Sequence, residues 1–292
     1  MSLRPRALLL AASIGLLVTF YLITATQSAE SPNPRTAVAI LLYHHVDDSM
    51  ESPNVVSTAT LDSHISAILA AGFKIISLTD LLDWLDQPHS QGLSVVLTFD
   101  DGYSSFCTHV VPLLKKYGVP ASCFLIVSSS DNTRRQTAAT SSLAHITPQQ
   151  IRELADIGLV EFGSHSYDGH RYIDTVRGRR PYLVEPLVGE SRADFELRVR
   201  QDLAWSKTVV EHWTGKVCRF FSYPYGWVTD ALRNQVAKCG FELALTTKPG
   251  IVLPGSDRYS LPRITVRPEM TGEDIIELIL AEVESGKTGT RV

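Results

Sequence analysis

Short apolar segments alternate with amphipathic ones along most of the chain, and this alternation restricts the fold more than any other feature. Seven of the apolar segments have the length of a strand: residues 37–43, 95–98, 121–127, 160–163, 217–222, 243–246 and 261–266. Helical periodicity marks residues 61–70, 78–85, 104–117, 147–157, 194–213, 229–239 and 272–284. Alternating strands and helices are typical of a parallel sheet covered by helices. We therefore expect an α/β fold, a distorted and incompletely closed (β/α) barrel with about seven strands.

The composition fits one globular domain of that size and gives no sign of a nucleic-acid surface. Of the 292 residues, 44% are hydrophobic and 20% are charged, and the formal net charge is −4. Proteins that bind a phosphate backbone carry a clustered excess of lysine and arginine. We expect a neutral or cationic partner and no nucleic acid.

The N-terminus indicates export. Arg4 and Arg6 precede an apolar stretch over residues 7–25, which is long for the core of a signal peptide and just long enough to span a bilayer. We assign residues 1–30 to a signal peptide or membrane anchor and residues 31–292 to the functional domain. The protein is then expected in the cell envelope, in the periplasm or on the outer face of the membrane, or in the medium. An uncleaved anchor would attach it to the membrane.

The four cysteines are not spaced like metal ligands. Cys107, Cys123, Cys218 and Cys239 fall on separate predicted elements, without a CxxC pair. Oxidation in an exported protein could join Cys218 to Cys239, and buried free thiols are the alternative.

A first polar run follows one of the predicted strands. The strand at 95–98 leads into Asp100, Asp101 and Gly102, at the edge of a parallel sheet where α/β proteins bind their ligands. Adjacent strand residues point to opposite faces, so both carboxylates can face inward only if the backbone bends at Gly102. The alternative interpretation is a turn that caps the helix over 104–117.

A second polar run follows the strand at 160–163. His165 and His170 flank Gly169 there, and their spacing implies a loop that folds back to bring both imidazoles to one ion. Together the two runs offer two imidazoles, one carboxylate ligand and one free carboxylate. That set matches a hydrolytic metal site, with three protein ligands, an open position for water and a general base beside it.

Both runs resemble the first two motifs of the polysaccharide deacetylases, the carbohydrate esterase family 4 or NodB-like domain, and the resemblance extends over residues 36–285. It implies that Asp100 is the catalytic base and that Asp101, His165 and His170 bind the metal. The implied cofactor is one divalent ion, with zinc in first place and cobalt, nickel or iron as alternatives. The implied substrate is an acetylated amino-sugar polysaccharide.

Residues 219–226 resemble the third motif of that family. By this resemblance the backbone N–H of Tyr225 helps to bind the oxyanion, and the segment forms a wall of the substrate groove. Tyr223, Pro224 and Trp227 are the implied groove residues, and both aromatic rings are candidates to stack on a sugar.

The third motif departs from the family at one position. The usual motif has an arginine two residues before its proline, whereas this chain has Ser222. Another residue must then orient Asp100, and Arg263 is our candidate.

The family's usual general acid is also missing, because no histidine follows His212. The strand at 37–43 ends in His44 and His45, as in the circularly permuted deacetylases that act on poly-β-1,6-N-acetylglucosamine in biofilms. That resemblance implies that His44 is the general acid and that His45 flanks the pocket. The alternative for His44 is a buried ring bonded to backbone.

Two segments interrupt the alternation of strands and helices. Residues 128–145 are rich in Ser, Thr and Ala, and we expect a mobile surface loop without a chemical role. Residues 171–192 are basic and aromatic; they either overhang the groove and contact sugar or form an exposed loop.

Other functions would use the same residues. A peptidoglycan or chitin-oligomer deacetylase and a xylan O-acetyl esterase need the same site, and product analysis separates them. A non-catalytic glycan-binding module predicts a missing ligand or base, whereas both aspartates and both histidines are present.

Overall fold

A curled parallel sheet organises residues 36–88, 92–132 and 144–288, which are the residues that the computed structural model describes. The apolar segments of the sequence form most of its strands because their side chains can be buried on both faces. In chain order the strands are β1 (Ala37–Tyr43), β2 (His45–Val46), β3 (Val55–Val56), β4 (Lys74–Ile75), β5 (Leu93–Phe99), β6 (Ala121–Leu125), β7 (Val160–Ser164), β8 (Tyr172–Thr175), β9 (Gly178–Pro181), β10 (Phe220–Ser222), β11 (Leu243–Leu245) and β12 (Ile264–Thr265).

The main sheet has the order β11-β10-β7-β6-β5-β1-β12, and all its pairs are parallel. The short strand β4 pairs with the start of β5, and β6 pairs with its end. Between β11 and β12 the connection is reduced to an isolated parallel bridge from Leu245 to Leu261. The predicted fold class, an incompletely closed barrel of about seven strands, is confirmed.

The helices lie in the connections between the strands. They are α1 (Thr58–Ala70), α2 (Leu78–Asp86), α3 (Val111–Tyr117), α4 (Val127–Asn132), α5 (Pro148–Ala155), α6 (Arg192–Thr214), α7 (Asp230–Lys238) and α8 (Gly272–Thr288). Ser77 and Thr147 start α2 and α5 with capping boxes, which satisfy N–H groups that a first turn leaves free. The predicted helices agree with these elements to within a few residues, with one exception at 104–117.

The segment at 104–117 is not a continuous α-helix. A π-helical turn over Phe106–Val110 precedes α3, and the N–H of Val111 donates to the carbonyl of Phe106. Pro112 follows directly and has no N–H to continue the regular pattern.

The core centres on β1 and β5, which pair over their full length from Ala37 opposite Leu93 to Tyr43 opposite Phe99. All seven residues of β1 are buried. At the upper end the rings of Tyr43 and Phe99 stack with centres 5.0 Å apart. This rigid pair of strands ends at the point where the polar runs begin, so it fixes their position.

Three predicted strands are shorter than expected by two residues or more. The strand predicted at 217–222 begins only at Phe220. The strand predicted at 121–127 ends at Leu125, because Val127 begins α4. The strand predicted at 261–266 keeps only Ile264–Thr265, because Arg263 turns its side chain into the barrel, where it is fully buried. The four cysteines are free thiols, with Cys123 and Cys218 buried.

The residues assigned to a signal peptide or anchor lie outside the described ranges. Within those ranges, no helix has both the length and the apolarity needed to cross a membrane.

Candidate metal and catalytic site

Two carboxylates leave β5 through a sharp change of backbone direction. The N–H of Asp100 still donates to the carbonyl of Tyr43 at 3.0 Å, so it continues the ladder with β1. Asp101 then takes a left-handed conformation with φ 73°, and Gly102 follows with φ 72°. The bend that we predicted at Gly102 therefore begins one residue earlier. Such a conformation is unfavourable for a residue with a Cβ and is typical of functional sites.

The loop after β7 folds back as expected. Ser166 is also left-handed, with φ 79°, and its hydroxyl accepts from the N–H of Gly169 at 2.9 Å. From α6 the carboxylate of Asp202 accepts from the N–H groups of Tyr167 at 3.0 Å and Asp168 at 2.9 Å. These contacts fix a loop that has His165 at one end and His170 at the other.

The structure brings Asp101, His165 and His170 together. Oδ1 of Asp101 lies 3.6 Å from Nε2 of His165 and 3.6 Å from Nε2 of His170, and all three ligand atoms lie within 4.8 Å of one another. Nδ1 of His165 is 2.8 Å from the carbonyl oxygen of Ser222. A carbonyl can only accept, so Nδ1 is protonated and the lone pair of Nε2 faces its two neighbours.

The donor set fits a divalent cation. Oδ1 of Asp101 is buried and has no hydrogen-bond partner among the described residues, which is costly for a carboxylate unless an ion binds there. Burial raises the pKa of Asp101 to about 6 and lowers the pKa of His165 to about 3. The imidazole is therefore neutral, the form that binds metal. These three residues can hold a metal ion.

Asp100 lies beside this cluster and is held by a buried arginine. Oδ2 of Asp100 is 4.0 Å from Nε2 of His165. Arg263 donates to Oδ1 at 2.9 Å and to Oδ2 at 2.7 Å. The hydroxyl of Ser222 also donates to Oδ2 at 3.0 Å, and it accepts a hydrogen bond from Arg263 at 2.9 Å. Arg263 therefore contacts the carboxylate that we expected it to orient.

The electrostatics keep Asp100 ionised. Burial by itself would raise the pKa of Asp100. The charge and hydrogen bonds of Arg263 and the charges of His165 and His44 together outweigh burial and hold that pKa well below its usual range. A carboxylate fixed in its basic form next to residues that can hold a metal ion can accept a proton.

His44 follows β1 directly and is half-buried. Its charge lowers the pKa of both Asp100 and Asp101, so its ring lies near the two carboxylates. The next ring belongs to His45, which is buried; its Nδ1 is 2.8 Å from the hydroxyl of Ser105. Of the two histidines, His44 is the one with access to the rim.

The third motif contributes one wall, and the structure separates its aromatic residues. Tyr225 is left-handed with φ 59°, and its ring centre lies 4.3 Å from that of His170. Trp227 is 48% exposed. Tyr223 is fully buried, and its hydroxyl donates to the carbonyl of Tyr259 at 3.0 Å. The prediction that Tyr223 lines the groove was wrong, because its ring packs into the core; Pro224 is buried as well.

Two polar residues next to the site were not predicted from the sequence. Asp202 lies within a long helix, where its periodicity gives no signal. His145 was placed in a mobile segment without a role, whereas the structure pairs it with Tyr103 in an antiparallel bridge, with ring centres 5.1 Å apart. Burial and then the charges of His170 and His45 lower the pKa of His145 to about 4. A neutral imidazole therefore borders the cluster on that side.

Comparison with known proteins agrees with this geometry. The sequence profile of a family described as polysaccharide deacetylase matches residues 88–244. The chain belongs to the polysaccharide deacetylase family. The matched region covers more than half of the chain and contains all four of these site residues: Asp100, Asp101, His165 and His170.

Individual polysaccharide deacetylases are similar at modest identity. A poly-beta-1,6-N-acetyl-D-glucosamine N-deacetylase of Escherichia coli K12 is 26% identical over 88% of this chain and 40% of its own length. An enzyme of the same name from Staphylococcus epidermidis is 26% identical over 75% of this chain and 69% of its own. The solved deacetylase domain of BpsB from Bordetella bronchiseptica is 28% identical, with a TM-score of 0.68, over 80% of this chain and 98% of that one. The chain thus spans less than half the length of the Escherichia coli relative.

Proposed function

We propose that this chain is a metal-dependent N-deacetylase of an acetylated amino-sugar polymer, with poly-β-1,6-N-acetylglucosamine as the first candidate. The observation that carries the proposal is the cluster of Asp101, His165 and His170, with ligand atoms within 4.8 Å of one another. The ionised carboxylate of Asp100 lies beside it, 4.0 Å from His165. The names of the similar proteins support the polymer.

Asp101, His165 and His170 would hold the metal, and zinc suits one carboxylate and two imidazoles, with cobalt, nickel or iron as alternatives. A bound divalent cation supplies Lewis acidity, which acidifies water and polarises a carbonyl oxygen. The chain's own residues then have to orient the acetamide and move two protons.

Asp100 is the proposed base. Its oxygen takes one proton of water as the water oxygen bonds to the acetamide carbon. The backbone N–H of Tyr225 donates to the resulting oxyanion, and one such donor is worth about 3 kcal/mol. His44 in its protonated form gives a proton to the nitrogen as the C–N bond breaks, because an amine anion is too basic to leave. Acetate and a glucosamine unit are the products.

The proposed domains are an exported leader or anchor over residues 1–30 and the deacetylase over 31–292. The apolar stretch at 7–25 after Arg4 and Arg6 supports export to the cell envelope or beyond. The mass of the mature N-terminus, measured together with cell fractionation, distinguishes a cleaved leader from an anchor. A full-length protein recovered in the cytoplasm would contradict export.

The central experiment measures acetate release from poly-β-1,6-N-acetylglucosamine before and after chelation, and after each of zinc, cobalt, nickel and iron is restored. Chitin oligomers, peptidoglycan and acetylated xylan are assayed in parallel to separate the related substrates. We expect Asp100→Asn to bind metal and lose at least 100-fold in rate. Asp168→Asn is the matched control, because that carboxylate is 54% exposed and pairs with Arg171. Near-normal release by Asp100→Asn, or full activity after chelation, would disprove the mechanism.

A further inference from the structure

The segment that follows His170 is an ordered hairpin. Strands β8 and β9 pair antiparallel from Tyr172 opposite Pro181 to Thr175 opposite Gly178. From the sequence alone, this segment could either overhang the groove and contact sugar or form an exposed loop. The hairpin begins two residues after His170, so its exposed face forms part of the rim of the candidate site.

The segment that follows the hairpin is anchored to α6. Arg198 donates to the carbonyl of Tyr182 at 2.7 Å and to that of Glu185 at 3.2 Å, and it forms an ion pair with Glu190 at 2.7 Å. The ring of Tyr182 lies between two guanidinium groups, those of Arg171 and Arg198, each 4.1 Å from its centre. These contacts hold the chain that leaves β9, so the hairpin presents a preformed surface.

An aromatic column connects the hairpin to the metal cluster. The ring of Tyr172 lies 4.5 Å from that of Tyr225, which in turn lies 4.3 Å from that of His170. Tyr172 is 41% exposed, and Trp227, two residues after Tyr225 in the chain, is 48% exposed. Two large aromatic residues on the segments that form this column thus remain open to solvent, and exposed aromatic rings can bind the apolar C–H face of a pyranose.

The same surface is positively charged. Residues 172–181 contain Arg177, Arg179 and Arg180 against the carboxylate of Asp174. Arg177 pairs with Glu185 at 3.5 Å, so Arg179 and Arg180 carry the excess positive charge. The guanidinium of Arg180 lies 6.0 Å from the centre of the Trp227 ring. Burial raises the pKa of the Tyr225 phenol, and the positive charge of Arg179 opposes that rise. The charge of Arg179 therefore acts on Tyr225. A cationic sugar would be repelled here.

From this geometry we infer a subsite, formed by Tyr172, Trp227, Arg179 and Arg180, for the sugar unit next to the one that reacts. The subsite takes a neutral unit that still carries its acetyl group and disfavours a glucosammonium unit that the enzyme has already produced. The inference rests on the proposed function for the identity of the polymer. It adds a preferred order of reaction, since the subsite directs units that are already deacetylated to the other side of the reacting unit.

The first test measures binding without turnover. Metal-loaded Asp100→Asn protein is titrated by calorimetry with a fully acetylated β-1,6-linked glucosamine pentamer and with the same pentamer deacetylated at one end. We expect Tyr172→Ala and Trp227→Ala to weaken binding of the acetylated pentamer about 5- to 10-fold, while Tyr172→Phe retains it. Val176→Ala, at the 84% exposed tip of the same hairpin, is the control. Unchanged affinity in both alanine variants would overturn the subsite.

The second test concerns charge. Arg179→Gln with Arg180→Gln should remove a discrimination of about 5-fold between the acetylated and partly deacetylated pentamers, whereas Arg192→Gln, on an 86% exposed side chain, should keep it. If the wild type binds the pentamer with this discrimination and releases no acetate, the proposed activity fails and the subsite stands. If it releases acetate and the discrimination is absent, the activity stands and the subsite fails.

Discussion

Arg263 donates hydrogen bonds to both carboxylate oxygens of Asp100 from 163 residues further along the chain. Its Nε also donates to the carbonyl of Thr246 at 2.8 Å, and the side chain is fully buried. A guanidinium fixed on three sides orients Asp100 and keeps it charged. Arg263, the residue before β12, thereby supplies the guanidinium that the third motif lacks at Ser222.

Replacing Arg263 should impair stability and catalysis together. Arg263→Met leaves a buried carboxylate unpaired, which costs about 3–5 kcal/mol in the free energy of unfolding, measured in urea. Arg219→Met is the control. Arg219 pairs with Glu242, which is 42% exposed, so the loss of this ion pair costs less than about 1 kcal/mol. Equal losses in the two variants would contradict the assigned role of Arg263.

The pH dependence of catalysis in Arg263→Met follows from the direction in which the pKa of Asp100 shifts. The wild-type pKa of Asp100 lies below its unfolded value of about 3.9. Its stabilising contribution is therefore complete above that pH and is lost as the pH falls towards the lower folded pKa. In Arg263→Met burial dominates and raises the pKa of Asp100. The acidic limb of kcat/KM should move to higher pH, which a profile from pH 4 to 8 measures.

Exchanging two residues tests whether Arg263 replaces the arginine of the third motif. Ser222 is fully buried and touches both Asp100 and Arg263. Ser222→Arg alone should destabilise the protein, because it places a second guanidinium against Arg263. Combining it with Arg263→Ser should recover part of the loss, so the double-mutant cycle should show a coupling of about 1–3 kcal/mol. Additive effects would mean that the two positions are independent.

Metal binding should stabilise the protein more at neutral than at acidic pH. Burial raises the pKa of Asp101 to about 6. In the apo protein, Asp101 contributes fully to the free energy of unfolding below its unfolded pKa, where its carboxyl group is neutral. This contribution is lost as the pH rises through about 6, because the buried carboxyl group then ionises. A cation offsets that charge. The rise in Tm on adding zinc should thus be larger at pH 7.5 than at pH 5, and it should disappear in Asp101→Asn. A rise that does not depend on pH would argue against Asp101 as a ligand.

Asp202 should affect metal affinity more than its distance from the cluster suggests. Asp202→Asn keeps one acceptor and loses the second, so one of the two N–H groups in the histidine loop is freed. We expect the Kd for zinc to rise about 10-fold, as for residues that orient ligands. Ser191→Ala is the control, because it removes the N-cap of the same helix and costs about 1 kcal/mol without touching the loop. Equal zinc affinity in both variants would exclude a positioning role.

Gly163 should not tolerate a side chain. A Cβ at this position would lie 2.4 Å from Cε1 of Phe124 and 2.9 Å from the carbonyl oxygen of Phe220. Gly163→Ala should reduce the free energy of unfolding by about 1–3 kcal/mol, measured in urea. Gly118→Ala has a positive φ and open space, so it reports strain without a clash. A smaller effect at Gly163 than at Gly118 would contradict this packing.

The sequence by itself determined the fold class and the positions of the cluster residues. Asp101, His165 and His170 follow strands, and strand ends of a parallel sheet meet at one edge, so local patterns place them together. The absence of an arginine at Ser222 pointed to a distant replacement. Each of these inferences depends on short segments whose chemistry and spacing are visible along the chain.

Only the tertiary structure decided which neighbours face the site. Tyr223 and Tyr225 are two residues apart, yet Tyr223 is buried and Tyr225 packs on His170, because the left-handed turn at Tyr225 redirects the chain. Asp202 contacts the histidine loop from α6, and the hairpin at 172–181 reaches His170 through the ring of Tyr225. Neither contact leaves a local pattern in the sequence. Such contacts depend on how the sheet curls and where the helices settle, and these follow from the packing of the whole core.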